Sequence, residues 1–329
     1  MSVAMLAAAF EELGGSEVLE VGEHERPEPG PGEVRVRVRI SGINPSDWKM
    51  RAGVTASAPP DAPQIPHQDG AGEIDAVGAG VDESRLGERV WILLAAWQRR
   101  WGTAAQWTVV PAAQAVPLPE EVDFELGACL GIPAVTAHVG LFRAGPIRSR
   151  DVLVAGGAGA VGHAAIELAT RAGARVVATV SGEEKAVLAL AAGAEAAIDY
   201  RAADAAERLR ERAPEGFHHI MEVALRENLD LDVEVAASGA TVVTYADDGR
   251  GDPAIPARAA MAAGLRFDFF LIYTLPRKAI AAAVAGVGEA LAAGDLTALP
   301  LTRFPLAEVA AAHDLVERGQ TGKVLLEIP

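Results

Sequence analysis

The chain has 329 residues, half of them hydrophobic, which by length is enough for two domains, each with a sizeable core. Its formal net charge is −16 with no basic run, which argues against nucleic acid or an anionic membrane as a partner and is read as solubility. A single cysteine, Cys129, excludes an intramolecular disulfide and a cysteine-rich zinc lobe, and no stretch reaches the about 18 uninterrupted apolar residues of a membrane span.

In chain order, residues 1–10 are apolar but lack a basic leader, so no signal peptide is expected and the cytoplasm is the expected compartment. Up to about residue 120 the pattern is mostly β. Val34 to Ile40 alternates valine and arginine strictly, the mark of a half-buried strand, after a loop marked by Pro27, Pro29, Pro31 and Gly32. Gly70–Gly78, Gly87–Leu94, Trp107–Val110 and Ala115–Pro117 follow as strands. A helix starts over Asp123–Leu130, and from there helix alternates with strand. The expected strands are Val152–Ala155, Arg175–Val180, Ala196–Ile198, His219–Val223, Ala240–Tyr245 and Leu265–Leu271, which fit a doubly wound sheet. A short helix, Leu306–Arg318, and a last strand, Val324–Ile328, return to the first domain.

The most informative stretch is Val152–Ala155 followed by Gly156-x-x-Gly159-x-x-Gly162 and a helical run, with Ile166, Ala169 and Thr170 on one face and Gly173 past its end. Strand, glycine turn and helix form a dinucleotide-binding unit. Small residues admit the pyrophosphate, and the helix N-terminus offers unpaired N–H groups. The second strand of such a unit carries an acid at its tip when the ribose hydroxyls are free. Here it ends Thr179-Val180-Ser181-Gly182, and Glu183 and Glu184 suit the first turn of the next helix.

Several motifs occur in a fixed order: Gly42-Ile-Asn44-Pro45-Ser-Asp47, Pro66-His-Gln-Asp69-Gly70-Ala-Gly72, Gly87-Glu-Arg-Val90, Gly131-Ile-Pro133-Ala-Val-Thr136-Ala137, the glycine loop and Thr321-Gly322-Lys323-Val324. With them the chain resembles, over nearly its whole length, the zinc-free branch of the medium-chain dehydrogenase/reductases: NADPH quinone reductases of the zeta-crystallin type and related alkenal reductases. The resemblance implies an α/β fold. A Rossmann doubly wound parallel sheet would occupy 121–292, and a mostly β, GroES-like catalytic domain 1–120 and 293–329. It implies a homodimer, with Phe267–Ile272 as a possible edge strand at the interface.

By this alignment the family's zinc-ligand positions fall on Asn44, on Gln68 followed by Asp69, and near Ile132, so no catalytic metal is expected. His67 is read as a loop histidine and Cys129 as a small core residue. Without a Lewis acid, alcohol oxidation loses its alkoxide stabilisation, whereas reduction of an electrophilic acceptor remains feasible.

The resemblance places Ser181, Lys185 and Tyr200 where relatives cradle a 2′-phosphate, so NADPH is expected over NADH. The opposing reading gives Glu183 or Glu184 to the ribose. Further cofactor positions carried over are Thr136, Gly156, Ala158, Gly159, Ala160, Val161, Gly162, Asn228, Tyr245, Phe270 and Leu271, with Lys323 reaching the cofactor from the tail. For catalysis Asn44 stands near the nicotinamide and Asp47 anchors its loop. Lys49, where many quinone reductases carry tyrosine, either places a cation near an enolate oxygen or faces solvent. Trp48, Trp97 and Trp101 either wall a flat acceptor pocket or belong to the core. The expected activity is hydride transfer to a quinone or α,β-unsaturated carbonyl. The alternatives are an enoyl reductase of polyketide type and a cofactor-binding structural or sensor protein with little turnover.

Overall fold

The computed structural model describes residues 3–55, 58–247 and 251–329. In chain order its strands are β1 (Ala4–Ala9), β2 (Glu20–Glu25), β3 (Glu33–Gly42), β4 (Asp69–Val77), β5 (Arg89–Ile92), β6 (Trp107–Pro111), β7 (Ala115–Pro117), β8 (Asp151–Val154), β9 (Arg175–Val180), β10 (Ala196–Asp199), β11 (Phe217–Glu222), β12 (Ala236–Thr244), β13 (Arg266–Phe269), β14 (Leu301–Pro305) and β15 (Lys323–Glu327). The α-helices are α1 (Pro45–Arg51), α2 (Phe124–Gly127), α3 (Gly131–Phe142), α4 (Ala160–Arg171), α5 (Glu183–Ala191), α6 (Ala205–Arg212), α7 (Leu225–Val235), α8 (Ala257–Ala263), α9 (Arg277–Ala292) and α10 (Val309–Glu317). The chain divides into two compact units, Met1–Ile132 with Pro300–Pro329, and Pro133–Leu299. The sequence reading set these divides at 120/121 and 292/293.

The first unit is a mostly antiparallel sheet in the order β14-β15-β3-β4-β5-β7, with β6 also pairing β3 and a separate β1-β2 ribbon. Strand β3 sets the arrangement. Its alternation puts Val34, Val36 and Val38 into the core at full burial, against Phe10, Ile74, Ile92 and Leu326. Each such side chain contributes about 1.5–3 kcal/mol by leaving water. Of its arginines, Arg37 is exposed and Arg39 half-buried, but Arg35 is buried and paired with Asp75 at 2.8 Å and Glu28 at 2.7 Å. The last strand, β15, inserts between β14 and β3, pairing Leu325 with Gly42 and Glu327 with Ile40. This register brings Lys323, at the start of β15, to the end of β3 where α1 begins.

The second unit is a fully parallel six-stranded sheet in the order β10-β9-β8-β11-β12-β13. Its strands are short and buried, as unalternating apolar runs require when helices cover both faces. Val152, Leu153, Ile220 and Val242 are fully buried. In α4 the buried face includes Ile166 and Ala169, but Thr170 is exposed. The order reverses direction between β9 and β11 around the central β8. The crevice at the carboxyl ends of β8, β9 and β11 is the place where such sheets take ligands.

Candidate active site

At the carboxyl end of β8 the chain turns through Gly156, at φ +69°, a left-handed conformation that suits glycine. Gly159 then stands at the N-terminus of α4, and the first intrahelical bond runs from His163 N–H to the Gly159 carbonyl at 2.8 Å. The N–H groups of Ala160, Val161 and Gly162 precede that bond and are without helical partners. A Cβ on Gly162 would lie 2.3 Å from the Gly156 carbonyl oxygen, so only glycine lets the helix close on the turn. A Cβ on Gly159 would meet nothing nearer than that oxygen at 3.3 Å. The space beside Gly159 and the open helix end together make an anion cradle. Ala158, between the two turns, is buried.

At the tip of β9, Lys185 Nζ donates to Ser181 Oγ at 2.9 Å, so two of the expected 2′-phosphate residues meet. Tyr200 is tied in by its N–H to the Val180 carbonyl at 3.2 Å and leaves its side chain 42% exposed. Glu183 and Glu184 are exposed in the first turn of α5. The sequence reading missed Arg201. Asp199 holds its guanidinium by bonds of 2.9 and 2.6 Å, and its Nη2 lies 3.6 Å from where a Cβ on Gly182 would stand. The signal was the acid two residues before a basic one at a strand end.

At the tip of β11, Asn228 Nδ2 donates to Glu222 at 3.1 and 3.2 Å, and Tyr245 N–H donates to the Glu222 carbonyl at 3.3 Å. Burial, with the Glu222 charge, pushes the Tyr245 hydroxyl well up. Thr136 on α3 is buried with its Oγ1 lacking a partner among the described residues, an orphan polar atom available to a ligand. Phe270 is buried and Leu271 half exposed.

In the first unit, Asn44 precedes α1 and is buried at 2% exposure. Its N–H donates to Asp47 Oδ2 at 2.7 Å, the return half of a capping box. Its side chain is held at both ends. Nδ2 donates to Asp69 Oδ2 at 2.7 Å, and Oδ1 accepts from Lys323 Nζ at 2.7 Å. The other oxygen of Asp69 accepts from Ile132 N–H at 2.8 Å. Burial pushes Asp69 up to about 6 against the pull of Lys323, and Asp47 up to about 8. Asn44, Asp47 and Lys323 thus form one buried network, in which the Lys323 ammonium places one of its three N–H donors on Asn44. Lys49 is half-buried, its Nζ 6.0 Å from the centre of the Trp48 ring. Trp101 packs on the core, and Trp97 is half-buried.

Beside this network lies a buried relay that sequence reasoning missed. His67 is a loop residue, but it is fully buried at φ +78° and stacked on His313 of α10 with Nε2 atoms 2.8 Å apart. Thr103 Oγ1 donates to the Asp69 carbonyl at 2.5 Å, so Ser41 Oγ must donate to Thr103 and accept from His67 Nδ1. That leaves His67 Nε2 as acceptor and His313 Nε2 as donor. Burial holds both rings neutral, His313 down to about 3.

Two family models match the chain in order: an alcohol dehydrogenase GroES-like domain over residues 30–120 and a zinc-binding dehydrogenase domain over residues 160–286. In both matched segments the chain thus resembles the medium-chain dehydrogenase/reductase family. Within it, quinone oxidoreductase from Pongo abelii is 29% identical over 98% of this chain and 97% of its own. The structure of a mycobacterial protein complexed with NADPH is 28% identical, with a TM-score of 0.84 over 98% of this chain and 99% of that one. The structure of an NAD-dependent alcohol dehydrogenase is 27% identical, with a TM-score of 0.89 over 99% and 100%.

Zinc-dependent family members raise the question of whether this donor set fits a metal. It does not. Asn44 is neutral and engaged at both ends, and the Lys323 ammonium stands 3.9 Å from Asp69 Oδ2, where a second cation would be repelled. Half-buried Cys129 has its thiol pushed up to about 12, chiefly by burial. Among the described residues no group of three or more His, Cys, Asp or Glu is placed to hold a metal ion, and no helix is long and apolar enough to cross a membrane.

Proposed function

We propose that this chain is an NADPH-dependent reductase that delivers hydride to a quinone or α,β-unsaturated carbonyl without zinc. The observation that carries this reading is the Lys185–Ser181 pair at the tip of β9, where an NAD-binding unit has an acid. A cation with a hydroxyl suits a phosphate and has no counterpart in NADH. Full-length similarity to quinone oxidoreductases supports the acceptor class.

In this reading Gly156, Ala158, Gly159, Ala160, Val161 and Gly162 cradle the pyrophosphate, and Ser181, Lys185 and Tyr200 take the 2′-phosphate. Thr136, Asn228, Tyr245, Phe270 and Leu271 serve the nicotinamide half. When bound, the cofactor supplies the hydride. The protein orients the acceptor and meets the negative charge that develops on its carbonyl oxygen. Lys49 is the residue we assign to that charge. Asn44, Asp47 and Lys323 hold the loop that carries it, and an acceptor already electrophilic needs no metal.

The test is to measure Kd for NADPH and NADH, and NADPH oxidation with a small quinone and with an enal, for the parent and Lys185→Ala. A charge-assisted hydrogen bond contributes roughly 1.5–3 kcal/mol, so the variant loses about ten- to a hundredfold in NADPH affinity. NADH binding stays nearly constant. Equal affinities in the parent, or equal losses in the variant, reject the cofactor assignment. Tight NADPH binding without oxidation by either acceptor rejects the acceptor class.

A further inference from the structure

Two buried carboxyls meet in the second unit without a cation between them. Glu222 ends β11 at 0% exposure, and Asp232 on α7 is 1% exposed and hydrogen-bonded to it. Two ionised carboxylates in contact and out of water are prohibitively repulsive, so such a pair holds one proton. The partners say where it sits. Glu222 accepts from the N–H groups of Ala224 and Val223 and from Asn228 Nδ2, all bonds that favour a carboxylate. Asp232 has only Glu222, and its Oδ2 has no partner among the described residues, which suits a neutral acid. Burial first, then the Glu222 charge, pushes Asp232 well above the ordinary carboxylate range.

The ionised partner fixes an amide. Asn228 Nδ2 lies between both Glu222 oxygens, and a carboxylate accepts only from the NH2 end, so the polarity of the amide is determined. Asn228 is half-buried and its Oδ1 makes no bond within the described residues. The position in the sheet gives this oxygen a use. Lys185 and Ser181 stand at the tip of β9, on one side of β8, and Glu222 at the tip of β11, on the other. A Cβ on Gly156 would lie 3.2 Å from Val223, the residue after Glu222, so β11 opens beside the glycine turn. A dinucleotide with its 2′-phosphate over β9 and its pyrophosphate at that turn carries its other half over β11.

We propose that Glu222 and Asp232 act as one positioning unit, two carboxyls holding a single proton, that locks the Asn228 amide with Oδ1 turned to the crevice. That position then takes a hydrogen-bond donor from the nicotinamide half of the cofactor, a ribose hydroxyl or the carboxamide NH2. The assignment rests on the dinucleotide reading above.

The experiment measures Kd for NADPH and for 2′,5′-ADP, which lacks the nicotinamide half, together with the thermal midpoint. The variants are Glu222→Gln, Asn228→Ala, the double variant, Asp232→Ala and Asp232→Asn. Glu222→Gln replaces one of the two oxygens that face Asn228 Nδ2 with an NH2 that cannot accept, which loosens the hold on the amide. It and Asn228→Ala each weaken NADPH about tenfold, the loss of one hydrogen bond, and leave 2′,5′-ADP unchanged. The double variant loses no more than either single one, since both remove the same bond. Asp232→Asn still donates to Glu222 and recovers the NADPH affinity that Asp232→Ala loses. Additive losses in the double variant, equal losses for both ligands, or no recovery by Asp232→Asn overturn the proposal. A parent protein that binds neither ligand overturns the dinucleotide reading beneath it.

Discussion

Lys323 donates to Asn44 Oδ1 at 2.7 Å across 279 residues of sequence, and Asn44 passes the contact on to Asp69 through its own Nδ2. The amide bridges an ammonium and a carboxylate whose charged atoms are 3.9 Å apart. Removing the cation leaves Asp69 buried and uncompensated. Lys323→Met therefore destabilises the chain by about 3–5 kcal/mol in urea unfolding, and Asp69→Asn in that background restores part of it. A loss no larger than that of a surface lysine rejects the network. By the same geometry, elemental analysis finds no stoichiometric zinc, and a chelator leaves turnover unchanged.

Among the loop glycines, Gly159 and Gly162 separate binding from folding. A side chain on Gly159 meets only the Gly156 oxygen at 3.3 Å, so Gly159→Val keeps the fold and fills the pyrophosphate space. On Gly162 the Cβ would stand 2.3 Å from the same oxygen, so Gly162→Ala lowers the melting temperature itself. Titrating NADPH into both variants alongside thermal melts checks the division. A Gly159→Val protein that binds like the parent removes the cradle.

The His67–His313 pair predicts how stability responds to acid. Both rings stay neutral when folded, with His313 down to about 3, whereas in the unfolded chain they take up protons below about 6.5. Their contribution is therefore complete above about pH 6.5 and is lost as pH falls, by at most about 1.4 kcal/mol per pH unit for each ring. The raised pKa values of Asp47 and Asp69 act in the opposite direction over part of this range, so the test is a difference. His313→Leu is less stable than the parent at pH 7, and the gap narrows at pH 5. A gap constant with pH refutes the neutral pair.

Strand β13 ends the parallel sheet, and near it Phe269 and Leu271 are 55% and 50% exposed. We expect a homodimer that uses this edge across a two-fold axis. Light scattering of the parent gives twice the chain mass, and a Phe269→Asp, Leu271→Asp variant gives the monomer. A monomer mass for the parent over a wide concentration range ends the expectation.

The fold was legible wherever one period dominated. Ala115–Pro117 and Arg175–Val180 are strands with the bounds the sequence suggested, and the valines of β3 point inward as their alternation required. The strand read as Leu265–Leu271 is shorter, and β1, β2 and β14 were missed: β1 is an unalternating apolar run, and β2 and β14 are exposed to half-buried along their length, with no buried face to mark them. At the site, Ser181 and Lys185 were legible because they stand four residues apart across the short turn between β9 and α5, close enough to meet. Lys323 was expected to reach the cofactor, and what the sequence could not show is its bond to Asn44, a pairing set by β15 lying against β3. Glu222 and Asp232 gave no signal, since a strand-end glutamate and a helical aspartate each look like surface residues until topology buries them together.

That β15 lies inside the first sheet has a consequence for how the protein is made. Asn44 and Asp69 leave the ribosome early, but the strand carrying Lys323 follows the whole second unit. The second unit is contiguous and has its full sequence available first, so it folds while the first still lacks β14, β15 and α10. Until then His67 has no ring to stack on and Asp69 no ammonium. The early segment therefore stays open to chaperones and proteases, and translation halted before Lys323 yields a finished parallel sheet tethered to an unfinished partner.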